Sequence, residues 1–263
     1  MSYSIGFIGA GKVATLLAPA FQLAGHRIDQ VISRSAISAE RLGHQLHCRN
    51  SNQIADLDLE LEILFLTVPD EALPELIHDI SHFRGLVIHT SGSFSPAHFA
   101  CQKYPYGYLY PLQTFTIGRQ VNLSEIPVFI EGSDPASEGI IRQLAMCLTD
   151  KVFKISPEEK LRLHLAAVWA CNFTNHLLAI ALKLMDEKGL PREWLYPVIR
   201  ETFEKALALS PERSQTGPAV RQDETTIRSQ LQQLSSKPEW FDLYRLLNQS
   251  IISIVKSNSA GEL

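Results

Sequence analysis

The chain lacks two features that often reveal function directly: closely spaced cysteines and an excess of positive charge. Its 263 residues include only four cysteines, Cys48, Cys101, Cys147 and Cys171, and no two lie close together. This spacing excludes zinc-type and CxxC redox motifs and is typical of a reducing compartment, so we expect a cytoplasmic protein. The formal net charge is −4 and there is no basic cluster, so we expect no nucleic-acid partner.

The apolar segments of the chain are not expected to be an export signal or a membrane span. The first basic residue, Lys12, lies inside the apolar N-terminal segment, whereas a secretory signal carries its positive charge in front. The longest apolar stretch, Leu161 to Leu184, is interrupted by polar side chains: Arg162, His164, Asn172, Asn175, His176 and Lys183. We therefore expect neither export nor a membrane partner.

The first half of the sequence contains alternating apolar strands and helical segments. Apolar residues make up 45% of the chain and charged residues 20%, which suits a globular protein with a core, and the length suits two domains. Strands are predicted at 4–9, 29–34, 62–68, 85–90, 107–112 and 126–131, with helices such as 12–25 and 71–82 between them. This alternation is typical of βαβ units on a mainly parallel sheet.

After residue 155 the pattern becomes helical throughout. The segment Ser156–Glu159, with sequence SPEE, has the serine, proline and glutamate of a capping box, and the helix it begins can continue to Gly189. Further helices are predicted near 192–209, 224–235 and 238–257, with a kink or restart at Pro197. The sequence therefore predicts an α/β domain over 1–155 and an all-α domain over 156–263.

A glycine-rich loop follows the first strand. The sequence Gly9-Ala10-Gly11-Lys12-Val13-Ala14 matches GxGxxA, between a predicted strand and a predicted helix. Glycines there allow a tight turn and close approach to a pyrophosphate, which then lies at the positive end of the helix. We predict a dinucleotide site formed by Gly9, Ala10, Gly11, Lys12 and Val13; the alternative is a plain strand-to-helix turn.

The end of the second strand indicates which dinucleotide is bound. An NAD site places an acid there, whereas this sequence has Ser33-Arg34-Ser35, and the nearest acid, Asp29, lies at the start of the strand. An arginine flanked by hydroxyls suits a 2′-phosphate. We therefore predict NADP as the cofactor, with a solvated loop arginine as the alternative.

Two later strand ends add residues to the same predicted site. Thr67, Val68 and Pro69 end one strand, where ligands of parallel sheets bind, although Pro69 also suits an ordinary strand exit. The sequence HTSGS follows another strand. We predict that Thr90 contacts the cofactor and Ser91 the substrate, the alternative being a loop that caps the next helix.

The sequence YPLQTF provides candidates for substrate contact. Tyr110 and Gln113 can donate hydrogen bonds there. Tyrosines alternate at Tyr104, Tyr106, Tyr108 and Tyr110, so an extended chain would place them on one face. The alternative to a substrate role is an aromatic face packed under the helical domain.

The helix with sequence HLAAVWACNFTNH, residues 164–176, places several polar groups in an apolar setting. At about 100° per residue, His164, Asn172, Asn175 and His176 share roughly a third of the circumference. We expect this helix to be buried nearly all round, with these groups forming either an internal hydrogen-bond network or a substrate wall. Two histidines without a carboxylate in register do not predict a metal site.

The loop QTGPAVRQD, residues 215–223, contributes one further candidate. Asp223 can cap the next helix, and Arg221 can bind a substrate carboxylate or remain a surface arginine.

Together these motifs resemble those of a bacterial family of Rossmann-like proteins, assigned as NADP oxidoreductases of unknown substrate. GAGKVA, SRS, HTSGS, YPLQTF, HLAAVWACNFTNH and TGPAVRQD carry the resemblance, over residues 9 to 223. The family is related to pyrroline-5-carboxylate reductases and to 6-phosphogluconate and β-hydroxyacid dehydrogenases. The resemblance implies an N-terminal Rossmann domain that binds NADP, an all-α domain that forms a homodimer, and an active site between them.

Two departures limit what the resemblance implies. β-Hydroxyacid dehydrogenases use a lysine four residues before an asparagine, but Val168 stands four before Asn172, and no lysine lies between Lys160 and Lys183. Many members of the family carry a histidine where this chain has Tyr110. We therefore expect neither a lysine-based mechanism nor a histidine acid at that position.

The leading hypothesis is an NADPH-dependent reductase of a small imine or carbonyl compound. The cofactor would supply a hydride, and the protein would supply orientation and a proton. Candidate catalytic residues are His164, His176, Tyr110, Asn172 and Ser91, with Gln113, Asn175 and Arg221 as substrate contacts. The alternative is an NADP-binding sensor or scaffold without turnover.

Overall fold

A computed structural model describes residues 2–99, 101–116, 118, 119 and 121–261. The chain divides into two compact units, Met1–Asn172 and Phe173–Leu263. The last strand ends at Lys154, and the elements after it are helical. The domain division at residues 155 and 156 stays a prediction, since the helix Pro157–Ala167, in the predicted second domain, belongs to the first compact unit.

The first unit is built on one eight-stranded sheet. Its strands are β1 (Ser4–Ile8), β2 (Arg27–Ile32), β3 (Arg49–Ser51), β4 (Ile63–Leu66), β5 (Leu86–His89), β6 (Tyr106–Pro111), β7 (Val128–Gly132) and β8 (Val152–Lys154). The strand order is β3-β2-β1-β4-β5-β6-β7-β8, and every pair is parallel except β6 with β7. The order from β3 to β6 is that of a Rossmann sheet, with two strands added at one edge.

Helices cover both faces of this sheet, so the strands are apolar on both sides. They are α1 (Lys12–Leu23), α2 (Ala36–Leu46), α3 (Leu73–Asp79) and α4 (Pro135–Met146), and α5 (Pro157–Ala167) follows the last strand. One buried cluster contains Phe7, Phe21 and Phe65, and the other, which includes residues of α3, contains Leu64 and Phe83. The mainly parallel α/β sheet predicted from the sequence is confirmed.

The capping box predicted at Ser156 begins α5. Ser156 Oγ accepts from the N–H of Glu159, whose carboxylate accepts from the N–H of Ser156. The helical run Pro157–Asp186 includes a π-helical segment, Val168–Phe173, before α6 (Thr174–Asp186). By length and composition alone this run could cross a membrane, so the absence of a membrane partner stays a prediction.

The second unit is helical. It contains α6, α7 (Tyr196–Leu209), α8 (Pro211–Ser214), α9 (Glu224–Gln233) and α10 (Pro238–Gly261). Pro197 lies in the first turn of α7, where its fixed φ suits a helix start, and Asp223 caps α9 as predicted.

Candidate active site

The glycine loop closes tightly on the neighbouring strand. Gly9 has φ +107° and donates its N–H to Ile32 O at 2.7 Å. A Cβ on Gly9 would lie 2.4 Å from Thr67 O, so a larger residue would collide with the end of β4. Above Gly11 the space is open, and α1 begins at Lys12 without a side-chain cap or an acid in its first turn. Free N–H groups at a helix start beside open space suit an anionic pyrophosphate.

A cavity of about 530 Å³ lies beside this loop, where parallel strands end. Nine residues that the sequence assigned to the cofactor line it: Gly9, Ala10, Gly11, Ser33, Arg34, Ser35, Thr67, Val68 and Pro69. Lys12, Val13 and Thr90, also assigned to the cofactor, are not among the described residues that line it. Lys12 borders a neighbouring cavity of about 90 Å³, Val13 packs against the core, and Thr90 is half-buried.

The cavity combines one cation with two carboxylates that sequence reasoning missed. Arg34 is exposed at its edge, and Glu75 and Asp79 on α3 also line it. Ser35 caps α2, accepting from the N–H of Ser38 at 3.3 Å, so the positive end of α2 lies next to Arg34. A phosphate is therefore favoured at the Arg34 side of the cavity and disfavoured at the α3 side.

The cavity lining also includes polar residues that no sequence signal indicated. Asn52 and Gln53 follow β3 and line the cavity. The strand β3 has the sequence Arg-Asn-Ser, which has no apolar residue, so hydrophobic pattern could not predict it or the loop after it.

A tyrosine–histidine pair lies between the end of β6 and α5. Tyr110 Oη and His164 Nδ1 are 3.2 Å apart, and the tautomer of His164 decides which atom donates. Burial raises the pKa of Tyr110, and the Cys171 thiol and the Asp70 carboxylate raise it further. Tyr110 therefore holds its proton at neutral pH, and the pair can pass one proton between ring and hydroxyl.

The turn after β5 packs directly on this pair. A Cβ on Gly92 would lie 2.4 Å from His164 Nδ1 and 2.8 Å from Tyr110 Cζ. Ser91 Oγ accepts from the N–H groups of Ser93 and Phe94 at 3.2 and 2.9 Å, so the hydroxyl predicted to contact substrate also shapes the turn. Only glycine fits between the turn and the pair without movement.

Lys160 is the residue near this site that sequence reasoning missed. It lies on α5, four residues before His164, and its side chain is fully buried. Lys160 Nζ donates to the carbonyl oxygens of Ser91 and Phe94 at 3.2 and 2.9 Å. Lysine is almost never fully buried, so no composition or spacing argument would have placed it there.

The other predicted residues are not brought to the Tyr110–His164 pair by any described contact. Asn172 is exposed in the π-helical segment at the end of the first unit. Gln113 is also exposed, and its side-chain oxygen Oε1 accepts from the N–H of Thr114. Asn175, His176 and Arg221 belong to the second unit, and each is exposed. Their roles stay predictions.

The expectation that the helix of residues 164–176 is buried nearly all round is wrong. No residue of its π-helical segment or of α6 is buried, and large apolar side chains such as Leu165 and Leu177 are exposed. Periodicity predicts an apolar helix correctly, but it cannot tell whether the same chain covers that helix. Of the four polar groups predicted to share one face, His164 has a described hydrogen-bond partner, Tyr110.

Comparisons with known proteins agree with this architecture. Residues 1–100 match the family described as "Rossmann-like domain", and residues 126–251 match "Domain of unknown function (DUF2520)". No curated protein matches the chain.

Solved structures match nearly the whole length. A "putative NADP oxidoreductase" from Bacteroides fragilis is 36% identical over 96% of this chain and 98% of that one, with a TM-score of 0.90. A 1-pyrroline-5-carboxylate reductase from Streptococcus pyogenes is 16% identical over 96% and 99%, with a TM-score of 0.61. An imine reductase from Bacillus cereus is 13% identical over 98% and 93%, with a TM-score of 0.56. The last two likenesses show a shared fold.

Proposed function

The chain belongs to the family of Rossmann-like proteins represented by the Bacteroides fragilis structure, and on this premise we propose that it is an NADP(H)-dependent oxidoreductase. The observation that carries the proposal is the cavity that joins the glycine loop to Arg34 at the ends of parallel strands. Its glycine loop fits a pyrophosphate because Gly9 closes on Thr67 while the space at Gly11 is open.

NADP is favoured over NAD by the groups at the end of β2. The strand ends at Ile32 without an acid that could bind a ribose 2′-hydroxyl, and Ser33, Arg34 and Ser35 follow. Arg34 and the start of α2 supply positive charge to a 2′-phosphate. Glu75 and Asp79 would repel it from the far side of the cavity, which supports binding at Arg34.

Reduction of a small imine or carbonyl compound suits the Tyr110–His164 pair. A bound nicotinamide supplies the hydride in such chemistry. Tyr110 or His164 supplies the proton, because Tyr110 Oη and His164 Nδ1 are 3.2 Å apart and can relay it. The backbone of Gly92 lies close to both side chains. An imine can arrive already protonated and needs less acid strength than a ketone, which suits a phenol with a raised pKa.

Hydride transfer is tested by NADPH oxidation against a panel of imines, keto acids and aldehydes. With a substrate found, Tyr110→Phe and His164→Gln should each lower kcat by about 100-fold, the usual contribution of a positioned proton donor. Gly92→Ala should act in the same direction by forcing the pair apart, whereas Gly139→Ala, which meets open space on α4, should not.

One outcome of this panel would support a different class of protein. Tight NADP binding with no hydride transfer to any compound would indicate a sensor or scaffold and would contradict the reductase. If a substrate is found, replacing Asn172, His176, Gln113, Asn175 or Arg221 by alanine then tests the substrate contacts assigned to them.

The proposal includes a cytoplasmic homodimer. The four free thiols suit a reducing compartment. The second unit exposes large apolar side chains, among them Trp194 and Leu207, at 64% and 89%. A second copy would cover such a surface, and sedimentation at low concentration should then show a dimer.

A further inference from the structure

Lys160 is a buried cation that the proposed chemistry does not use. Its side chain is 0% exposed, and its three ammonium protons are matched by two carbonyl oxygens and an aromatic face. The oxygens are those of Ser91 and Phe94, and the face is that of Tyr108, with Nζ 4.3 Å from the ring centroid. No proton of this group points to open solvent, so it is poorly placed to protonate a substrate.

Two carboxylates near Lys160 partly offset the effect of burial on its pKa. Burial lowers the pKa of Lys160 to about 8, against the carboxylates of Asp70 and Glu131, which raise it. Burial, and then Lys160 itself, lower the pKa of His89 well below its usual value, so His89 is neutral. Burial raises the pKa of Tyr108, which is also neutral. Lys160 is therefore the cation of this cluster.

The two carbonyls that Lys160 binds are the two ends of one turn. Ser91 and Phe94 bracket Gly92, and the backbone of Gly92 lies against His164 and Tyr110. Lys160 and His164 are four residues apart on α5 and so lie on one face of that helix. The lysine holds the ends of the turn while the histidine contacts its middle.

We propose that Lys160 is a positioning residue that clamps the turn Ser91–Phe94 onto α5 and thereby fixes the Tyr110–His164 pair against Gly92. The clamp is the pair of hydrogen bonds from Lys160 Nζ to the carbonyl oxygens of Ser91 and Phe94, and it does not depend on a substrate. Its relevance to catalysis rests on the proposed function of the pair.

Both acceptor carbonyls can be observed individually, because their dipeptides occur once each in the chain. Ser91-Gly92 is the only Ser-Gly pair and Phe94-Ser95 the only Phe-Ser pair. Cell-free synthesis with ¹³C-carbonyl serine and ¹⁵N-glycine, or with ¹³C-carbonyl phenylalanine and ¹⁵N-serine, gives one signal per sample in a carbon-detected carbonyl–nitrogen spectrum. Carbon detection avoids amide exchange at high pH.

The clamp predicts that the two carbonyl signals titrate together in the wild type. Both should shift with one midpoint at pH about 8, as the ammonium loses a proton. His164→Gln should retain this titration, and Lys160→Met should abolish it. A shift that persists in Lys160→Met, or the absence of any shift up to the pH at which the protein unfolds, would overturn the proposal. The wild-type titration decides the matter even if Lys160→Met does not fold.

A second readout connects the clamp to the pair. In protein labelled with ¹⁵N-histidine, the His164 Nδ1 signal of Lys160→Met should move toward that of Tyr110→Phe, in which the hydroxyl is absent. An unchanged signal in a folded Lys160→Met protein would contradict the positioning role.

NADPH affinity, measured in parallel, separates this proposal from the proposed function. Lys160→Met should bind NADPH as the wild type does, because Lys160 does not line the cofactor cavity. A wild type that does not bind NADPH would overturn the proposed function and leave the carbonyl titration interpretable.

Discussion

The two compact units differ in where they keep their apolar side chains. In Met1–Asn172, two clusters of buried residues cover the two faces of one sheet. In Phe173–Leu263, the buried apolar side chains among the described residues are Ala219 and Leu234, while leucines, tryptophan and valine lie exposed. The first unit therefore encodes its own core, and the second has an apolar surface that suits a covering partner.

The largest expected effect tests the core of the first unit. Phe65 is fully buried and stacks on Phe7, with ring centroids 5.1 Å apart. Phe65→Ala should lower the free energy of unfolding by about 3–5 kcal/mol, because it leaves a cavity between packed rings. Leu23→Ala, at a side chain 93% exposed on α1 of the same unit, is the matched control and should change it by less than about 0.5 kcal/mol. Chemical denaturation measures both, and equal losses would contradict the contrast.

The next effect concerns the buried charge in the first unit. The pKa of Lys160 is about 8 in the folded chain, against the ordinary lysine value of 10.5 in the unfolded chain, so the unfolded chain binds more protons between those values. Its contribution to the free energy of unfolding should therefore rise with pH from about 8 to 10.5, by about 3 kcal/mol.

The measurement is the difference between wild type and Lys160→Met across that range. The difference removes the contributions of other titrating groups, and below pH 8 it should be constant. A difference that does not depend on pH would show that folding does not lower the pKa of Lys160.

A smaller effect is expected at the apolar surface of the second unit. Val198 is 56% exposed on α7. The substitution Val198→Asp should weaken the affinity of a homodimer by about tenfold or more, because a charge would be buried at the contact. Leu59, 49% exposed in the first unit, is the matched control, and Leu59→Asp should leave association unchanged. Sedimentation of both variants makes the comparison. Equal dimer affinities in the two variants would show that this surface does not take part in association.

The same contrast explains which features could be predicted from the sequence. The sheet, the glycine loop and the placement of Ser33 and Arg34 on the cavity follow from strand periodicity and from the rule that ligands bind at strand ends. The strands β3 and β8 were missed because each has three residues, too few to show a period, and β3 has no apolar residue.

The features that could not be predicted from the sequence depend on tertiary contacts. Lys160 resembles a surface residue of an amphipathic helix, and only packing shows that it reaches Ser91 and Phe94. Gly92 resembles an ordinary turn glycine until His164 and Tyr110 are placed against it. The exposure of the helix at residues 164–176 could not be predicted because hydrophobicity does not specify which chain provides the cover.

We expect the cavity of the first unit to bind NADP through Arg34, and calorimetric titration with NADPH and NADH measures this preference. The wild type should bind NADPH at least about tenfold more tightly than NADH, about 1.4 kcal/mol. Arg34→Ala should remove that difference with little loss of NADH affinity, and Arg41→Ala, on α2 outside the cavity lining, should retain it. Equal affinities of the wild type for NADPH and NADH, or a preference for NADPH that survives Arg34→Ala, would contradict NADP binding through Arg34.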